Sequence, residues 1–343
     1  MATMKEIADL AGVSVATVSH VLSGKKNVGP ARRRRVEQAI EKTNYRPNVI
    51  AKSLRMNKTH IIGVLAEDLQ SFPVPEIVDG ICQMLEKSGY QVLFNNLRLL
   101  QKLYNQYEQL TQYIETINQG IQLLEHARVD GIIYIAMHDR RIDGVLHPAN
   151  TPMIFAYAES GTPDSASVTY DNETSAYEIT KLLIGQNHKR IALIAGHPGS
   201  SPTKKRLAGY RAAMDEAGLR APPEYIRWGD WEYHSGMEQT EVLLTLTLPP
   251  TAIFAMNDLM AAGCYGAIRR RGLNIPEDIS VVGYDNREIA SCLYPSLTTV
   301  VLPNRQIGYT AAEQLLQRLR HQAAPSGTVL PCSIIRRDSS REI

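Results

Sequence analysis

The sequence predicts a small all-α head followed by an α/β body built from two doubly wound parallel sheets. Three observations predict this arrangement: two short amphipathic helices around a tight turn near the start, basic residues concentrated in the first 60 positions, and apolar runs that alternate with helical stretches afterwards. At 343 residues and 44% hydrophobic, the chain is too long for one ordinary core. We expect a head at residues 1–46, a short element and linker at 47–59, and a two-lobe body at 60–343.

The segment just inside the start predicts a helix-turn-helix, which presents the side chains of its second helix to the major groove of DNA. Apolar residues lie at helical spacing in both halves: Ile7, Leu10 and Ala11, then Val18, Val21 and Leu22. Gly12 relaxes the backbone between the helices, and Ser14 can cap the second one by accepting from its free N–H groups. Val15, Ala16 and His20 are then expected to face outward. An ordinary two-helix corner would show the same pattern.

Charge separates the head from the rest of the chain. The first 60 residues hold twelve Lys and Arg against four Asp and Glu, a net charge of +8, whereas the whole chain has 37 against 35, a net +2. The remainder therefore carries 25 basic and 31 acidic residues, a net −6. A basic cluster on one small domain indicates phosphate binding. The run at 32–35, four consecutive arginines, fits phosphate contact, although a solvated helix face is the alternative.

The cysteines and the start of the chain bear on where the protein works. Cys82, Cys264, Cys292 and Cys332 are widely spaced and form neither a metal-binding pattern nor a disulfide framework. No apolar signal segment opens the sequence, and no run approaches the roughly 20 apolar residues of a membrane span. We therefore expect a protein of the reducing cytoplasm, without membrane contact, metal or cofactor.

The body alternates between strands and helices. Strand-length apolar runs lie at 61–66, 91–94, 131–135, 153–156, 190–195, 252–256 and 279–284. Helical stretches lie at 76–88, 172–186, 206–217 and 259–271. Continuous apolar strands alternating with helices predict parallel sheets covered on both faces, with a ligand cleft at the carboxyl ends of the strands. The segment 97–127 predicts an unusually long helix, either an extended surface helix or a contact for a partner or second copy.

Several motifs together resemble the LacI/GalR family of bacterial transcription regulators over essentially the whole chain. They lie at 13–19, 45–48, 51–55, 129–133, 206–210, 257–258, 278–286 and 297–300. The resemblance implies a homodimeric, sequence-specific regulator, usually a repressor, that binds double-stranded operator DNA and is associated with the nucleoid when bound. It also implies that the body resembles periplasmic sugar-binding proteins and takes a small-molecule effector, most simply a carbohydrate.

The resemblance also indicates which head residues meet DNA. Val15 and Ala16 take the base-reading positions, and both can contact thymine methyl groups but cannot make bidentate hydrogen bonds. His20, one turn later, can donate to a guanine edge. The expected DNA-binding set is Ser14, Val15, Ala16, Thr17, Ser19, His20, Tyr45, Asn48, Ala51, Leu54 and Arg55. For the hydroxyls of Thr17 and Ser19, phosphate contact and simple helix-surface exposure both stay open.

The element that begins at Asn48 has only two turns, too few for an isolated helix to be stable. The resemblance implies that this hinge helix folds when two chains meet on the operator, where Leu54 enters the minor groove and bends the duplex. Unstacking is easiest at a flexible pyrimidine–purine step, so we expect a pseudo-palindromic site with a central C-G step. Leu54 as a linker residue that packs on the body is the alternative.

Five residues are candidates for the effector site. The resemblance matches Arg206, Asn257 and Asp285 to the polar set that holds sugar hydroxyls, and these side chains offer paired donors or acceptors in fixed geometry. Trp231 falls where the family often has a stacking aromatic, and Phe72 is what remains of a second aromatic wall. Structural roles are the alternatives: a core position for Trp231 and a salt bridge for Arg206.

A purine effector is disfavoured at this point. In purine-responsive members of the family, an arginine and a threonine contact the base, and these positions are occupied here by Ser200 and Pro202.

Three other classes of protein are alternatives. A sugar-binding protein without a regulatory role would not carry the basic head. An enzyme is disfavoured because residues 196–199, followed by Lys204 and Lys205, lack P-loop spacing and no G-x-G-x-x-G follows the early strands. A regulator of the same fold controlled by a partner protein stays open.

Overall fold

The computed structural model describes residues 2–22, 28–45, 58–103, 112–142, 151–161 and 166–343. The chain forms two compact units, Met1–Thr59 and His60–Ile343, which we call the head and the body. No helix in the described ranges is both long enough and apolar enough to span a membrane.

The described part of the head contains three helices: α1 (Met4–Ala11), α2 (Val15–Leu22) and α3 (Pro30–Thr43). A capping box starts α1, because Thr3 accepts from the N–H of Glu6 and the Glu6 side chain accepts from the N–H of Thr3. Gly12 ends α1 with a φ of 59°, a left-handed conformation that favours glycine. The sharp turn between α1 and α2 predicted at this residue is confirmed.

Leu10, which the helical spacing groups with Ile7 and Ala11, lies outside the head core. Leu10 is 63% exposed, whereas Ile7 and Ala11 are buried and Ala8 joins them. The buried face of α1 is therefore formed by Ile7, Ala8 and Ala11. Helix α3 packs against this face and adds Val36 to the same core. Helical spacing alone does not distinguish this face from the one that contains Leu10.

The first lobe of the body holds a six-stranded parallel sheet, whose strands are β1 (Ile61–Ala66), β2 (Gln91–Asn96), β3 (Gly131–Ile135), β5 (Met153–Ala156), β7 (Ala166–Tyr170) and β13 (Gly327–Leu330). They lie in the order β13-β7-β5-β3-β1-β2. Its helices are α4 (Val74–Lys87), α5 (Leu100–Leu103), α6 (Ile114–His126) and α12 (Asn304–Leu319). Helices α4 and α12 cover one face of the sheet and α6 covers the other. A two-stranded parallel sheet joins β4 (Arg141–Ile142) to β6 (Glu159–Ser160).

The second lobe holds the sheet β14-β12-β11-β10-β8-β9, parallel except for β14. Its strands are β8 (Ile191–Ala195), β9 (Ile226–Trp228), β10 (Ala252–Ala255), β11 (Ser280–Asp285), β12 (Thr298–Val301) and β14 (Ser333–Ile335). Its helices are α7 (Asn172–Gly185), α8 (Ser201–Glu216), α9 (Tyr233–Leu244), α10 (Asp258–Arg270) and α11 (Glu288–Cys292). The chain passes between the lobes three times: from β7 to α7, from β12 to α12, and from β13 to β14.

All seven strands predicted from apolar runs are present, but the single long helix predicted at 97–127 is wrong. Residues 97–99 are not helical, α5 spans one turn, and α6 begins only at Ile114; residues 104–111 lie outside the described ranges. The N–H of Leu97 donates to the carbonyl of Ala66, and that of Leu100 to Asp68 Oδ2. These bonds hold the chain against the end of β1, so tertiary contacts override the helical spacing.

Two glycines let α4 and α12 approach each other closely. A Cβ on Gly80 would lie 2.0 Å from the carbonyl oxygen of Arg305, and one on Gly308 would lie 1.9 Å from that of Ile77. Real Cβ atoms do not approach backbone oxygens this closely, so the two helices pack backbone to backbone. This contact fixes α12, which has just returned from the second lobe, onto the first lobe.

We expect Gly308→Ala to force α4 and α12 apart and to lower the free energy of unfolding by about 1–3 kcal/mol, as overpacking of a close contact does. Gly185→Ala is the matched control, since a Cβ there meets no atom within 4 Å. Thermal unfolding of both variants measures the difference. Equal unfolding temperatures would show that α4 and α12 can move apart without any loss of stability.

Candidate effector cleft and DNA-binding head

A cavity of about 290 Å³ lies between the two lobes, at the carboxyl ends of the strands of both sheets. All five predicted effector residues line it. The lining residues are Gln70, Ser71, Phe72, Pro73, Leu100, Met137, His138, Asp139, Tyr157, Tyr170, Pro202, Arg206, Trp231, Glu232, Asn257, Leu259, Asp285 and Arg287. The topology accounts for this meeting, because parallel strands deliver the loops that follow them to one edge of each sheet.

Arg206 lies on α8, whose start is capped by Ser200 accepting from the N–H of Thr203. Its guanidinium is buried and donates to Asn172 Oδ1 at 2.8 Å and to the hydroxyl of Tyr170 at 3.1 Å. A third bond goes to the backbone carbonyl of Met256. Arg206 therefore ties the β7–α7 crossover to the end of β10, and most of its donors are already engaged.

Asp285, the last residue of β11, presents a carboxylate to the cavity. Its Oδ1 lies 3.8 Å from the guanidinium of Arg206, and its side chain is 10% exposed. Burial raises the pKa of Asp285 to about 6, although the charges of Arg206 and Arg287 oppose the rise. Near neutral pH this group is an ionised acceptor that can receive hydrogen bonds from a ligand.

Asn257 and Trp231 are linked to each other. Asn257 caps α10 by accepting from the N–H of Met260 at 2.8 Å, and its amide nitrogen donates to the carbonyl of Trp231 at 2.8 Å. The indole of Trp231 lies over Gly196, where a Cβ would come within 2.0 Å of the ring. The side-chain oxygen of Asn257 is thus already used to cap α10, and the Trp231 ring forms a flat wall of the cavity.

Phe72 lies on the wall contributed by the first lobe. The guanidinium carbon of Arg287, from the second lobe, lies 5.0 Å from the centre of the Phe72 ring. At this distance the guanidinium and the ring form a cation–π contact, which joins the two lobes at the cavity.

Several lining residues were missed from the sequence: His138, Asp139, Tyr157, Tyr170 and Arg287. The first four follow or end strands of the first lobe. Burial, together with the charges of Arg140 and Arg206, lowers the pKa of His138 to about 3, so its imidazole is neutral. The signal that could have found these residues is their place at or just after the carboxyl ends of strands, since no motif marks them.

Asp258 is buried in the second lobe and holds a residue of the cavity wall, Arg287, by a hydrogen bond. Its carboxylate accepts from the hydroxyl of Thr299 at 2.6 Å and from the N–H of Arg287 at 2.7 Å. Burial, with the nearby charge of Asp285, raises the pKa of Asp258 to about 8. The Arg287 bond holds the start of the loop that follows β11.

The head presents the predicted recognition helix as α2. Val15 and Ala16 are exposed, and Ser14 accepts from the N–H of Thr17 at 3.2 Å, so the predicted cap is present. Thr17, Ser19 and His20 are half-buried, as is Tyr45, which packs against the head core. The predicted hinge contacts Asn48, Ala51, Leu54 and Arg55 lie outside the described residues.

Comparison with known proteins matches part of the head and part of the body to protein families. Residues 3–48 match the bacterial regulatory proteins of the lacI family, and residues 180–340 match a periplasmic binding protein-like domain. The transcriptional repressor PurR of Vibrio atlanticus (strain LGP32) is 33% identical over 322 residues, covering 93% of this chain and 92% of the relative. The chain belongs to the LacI family.

Two further relatives bear on the ligand and the fold. The ribose operon repressor of Escherichia coli (strain K12) is 35% identical over 321 residues, covering 93% of both chains. The structure of the Lac repressor dimer bound to operator and the anti-inducer ONPF matches with a TM-score of 0.82 and 30% identity, covering 99% of both chains. This member of the LacI family is therefore a DNA-binding transcriptional regulator with a small-molecule-binding body, and its family is one of repressors rather than enzymes.

Proposed function

We propose that the chain binds a two-fold-symmetric operator as a homodimer and is controlled by an uncharged sugar in the cleft between its lobes. The observation that carries the sugar assignment is the Asp285 carboxylate, which lines the same cavity as the flat ring of Trp231 and lies 3.8 Å from the fixed guanidinium of Arg206. A carboxylate acceptor beside an aromatic wall suits a ligand with hydroxyl groups on one side and a C–H face on the other.

The walls of the cavity favour a sugar over a purine, and its size favours a small ligand. About 290 Å³ is at the lower end of small-molecule pockets, which hold roughly 300–1,000 Å³. Ser200 is engaged in capping α8, and Pro202, which lines the cavity, has no side-chain donor for a base. The likeness to the ribose operon repressor supports the same class of ligand.

For DNA, we propose that Val15 and Ala16 contact bases and that His20 supplies the polar base contact. The exposure of the first two residues on α2 supports this role. Ser14, Thr17, Ser19 and Tyr45 are proposed to position the head on the backbone. The hinge set Asn48, Ala51, Leu54 and Arg55 is proposed on the resemblance alone, with Leu54 entering the minor groove at a central C-G step.

We expect His20→Ala to remove a base preference of roughly tenfold at one position of each half-site, because a mismatched base pair costs about 1–3 kcal/mol. Selection of random duplex DNA by the purified full chain, wild type and variant, measures this preference at fixed salt. His126→Ala, an exposed histidine of the body, is the control and should leave the selected site unchanged. An equal loss of affinity for every sequence would reduce His20 to a phosphate contact, and an asymmetric wild-type site would contradict the dimeric operator.

We expect Asp285→Asn to weaken sugar binding about tenfold or more, since hydrogen bonds to charged groups contribute about 1.5–3 kcal/mol. Calorimetric titration of the full chain with D-ribose, D-glucose and D-galactose measures the affinity. For the wild type, affinity should also fall as the pH drops below about 6, where Asp285 becomes protonated. Asp215→Asn, an exposed carboxylate of the same lobe, is the control. Unchanged affinity in Asp285→Asn would contradict the site, and a wild type that binds no sugar would favour control by a partner protein.

A further inference from the structure

We propose that Asp139 is the hydrogen-bond acceptor which the first lobe offers to the effector, and that Lys205 of the second lobe holds this acceptor in position. The inference deepens the proposed function and rests on it, because it concerns the same cleft. It adds a specificity-determining residue on the wall opposite Asp285.

Asp139 follows β3 and lines the cavity, yet its side chain is completely buried. Its Oδ2 accepts two hydrogen bonds, from Lys205 Nζ at 3.1 Å and from Asn172 Nδ2 at 2.8 Å. Its Oδ1 is buried and accepts no hydrogen bond from any described residue. A buried carboxylate oxygen without a donor is unfavourable, and a ligand hydroxyl at this position would remove that cost.

Lys205 fixes which oxygen of Asp139 is left for a ligand. It lies on α8 of the second lobe and also donates to Glu159 Oε1 of β6 at 2.9 Å, so one ammonium group bridges two carboxylates of the first lobe. Asn172, the other donor to Asp139, also belongs to the second lobe, at the start of α7. With Oδ2 occupied by both donors, Oδ1 is the acceptor that remains.

The charges around this position indicate the chemistry of the ligand. Burial raises the pKa of Asp139, while the charge of Lys205 opposes the rise and favours the ionised form. The carboxylates of Asp139 and Asp285 can accept from ligand hydroxyls, but they offer no donor to a phosphate or carboxylate group of a ligand. An uncharged polyol can therefore place one hydroxyl on each lobe, where Lys205 already joins the two lobes through Asp139.

The test compares parent sugars with their monodeoxy analogues on wild-type and Asp139→Ala full chains. The probes are D-ribose, D-glucose, D-galactose and their monodeoxy derivatives, titrated calorimetrically. We expect Asp139→Ala to bind the preferred sugar about tenfold or more weakly. It should also lose the discrimination against one deoxy analogue, because the hydroxyl that met Oδ1 no longer has an acceptor. Lys205→Met should weaken binding severalfold, whereas Lys204→Met, an exposed lysine one position earlier, should not.

The outcomes separate this inference from the proposed function. If Asp139→Ala discriminates against every deoxy analogue as the wild type does, the role of Asp139 as acceptor is overturned while the sugar site stands. A uniform loss for all sugars, with discrimination intact, would show a structural role only and would also overturn it. If the wild type binds no sugar, both proposals fail together. Asp139→Asn, whose amide oxygen can keep the bonds from Lys205 and Asn172, replaces the alanine variant if that one does not fold.

Discussion

The buried guanidinium of Arg206 is the interaction on which the cleft depends. It reaches the crossover between the lobes through Tyr170 and Asn172, the end of β10 through the carbonyl of Met256, and the end of β11 through Asp285. The ring of Tyr284 lies 3.5 Å from its central carbon and covers one side of it. A buried charge is costly unless it is hydrogen-bonded and paired, and Arg206 meets both conditions with groups from three separate segments. Removing it would leave several polar groups without partners at once.

This arrangement also limits how a ligand can be recognised. The donors of Arg206 and the oxygen of Asn257 are largely committed to the fold, so they shape the cavity more than they select its contents. Ligand selection then falls to acceptors whose oxygens are not committed, chiefly Asp285 and, on the opposite wall, Asp139. A site that is rich in such acceptors selects ligands by their hydroxyl donors, which is the chemistry of a sugar.

Much of the fold could be predicted from the sequence. A parallel strand that is buried on both faces appears there as a continuous apolar run. Among the strands missed, β7 alternates apolar with polar residues, and β4, β6, β9 and β14 have only two or three residues each. The head turn at Gly12 could be predicted from local chemistry, whereas the exposure of Leu10 depends on where α3 packs. Resemblance found five residues of the cavity wall, but it could not find Asp139 or Tyr170. Their placement depends on which loops the sheet brings together, and no local pattern records that. The proposed hinge contacts, including Leu54, remain predictions.

The most direct measurement of the role of Arg206 is the calorimetric unfolding temperature of the full chain carrying Arg206→Lys. Lysine keeps the charge but lacks the planar fork that reaches Asn172, Tyr170 and Met256 together. We expect the body of the variant to unfold several degrees lower than that of the wild type, at about 2–4 °C for each kcal/mol lost. An unchanged unfolding temperature would contradict this expectation, because the charge alone, without the fork, would then suffice to hold the cleft together.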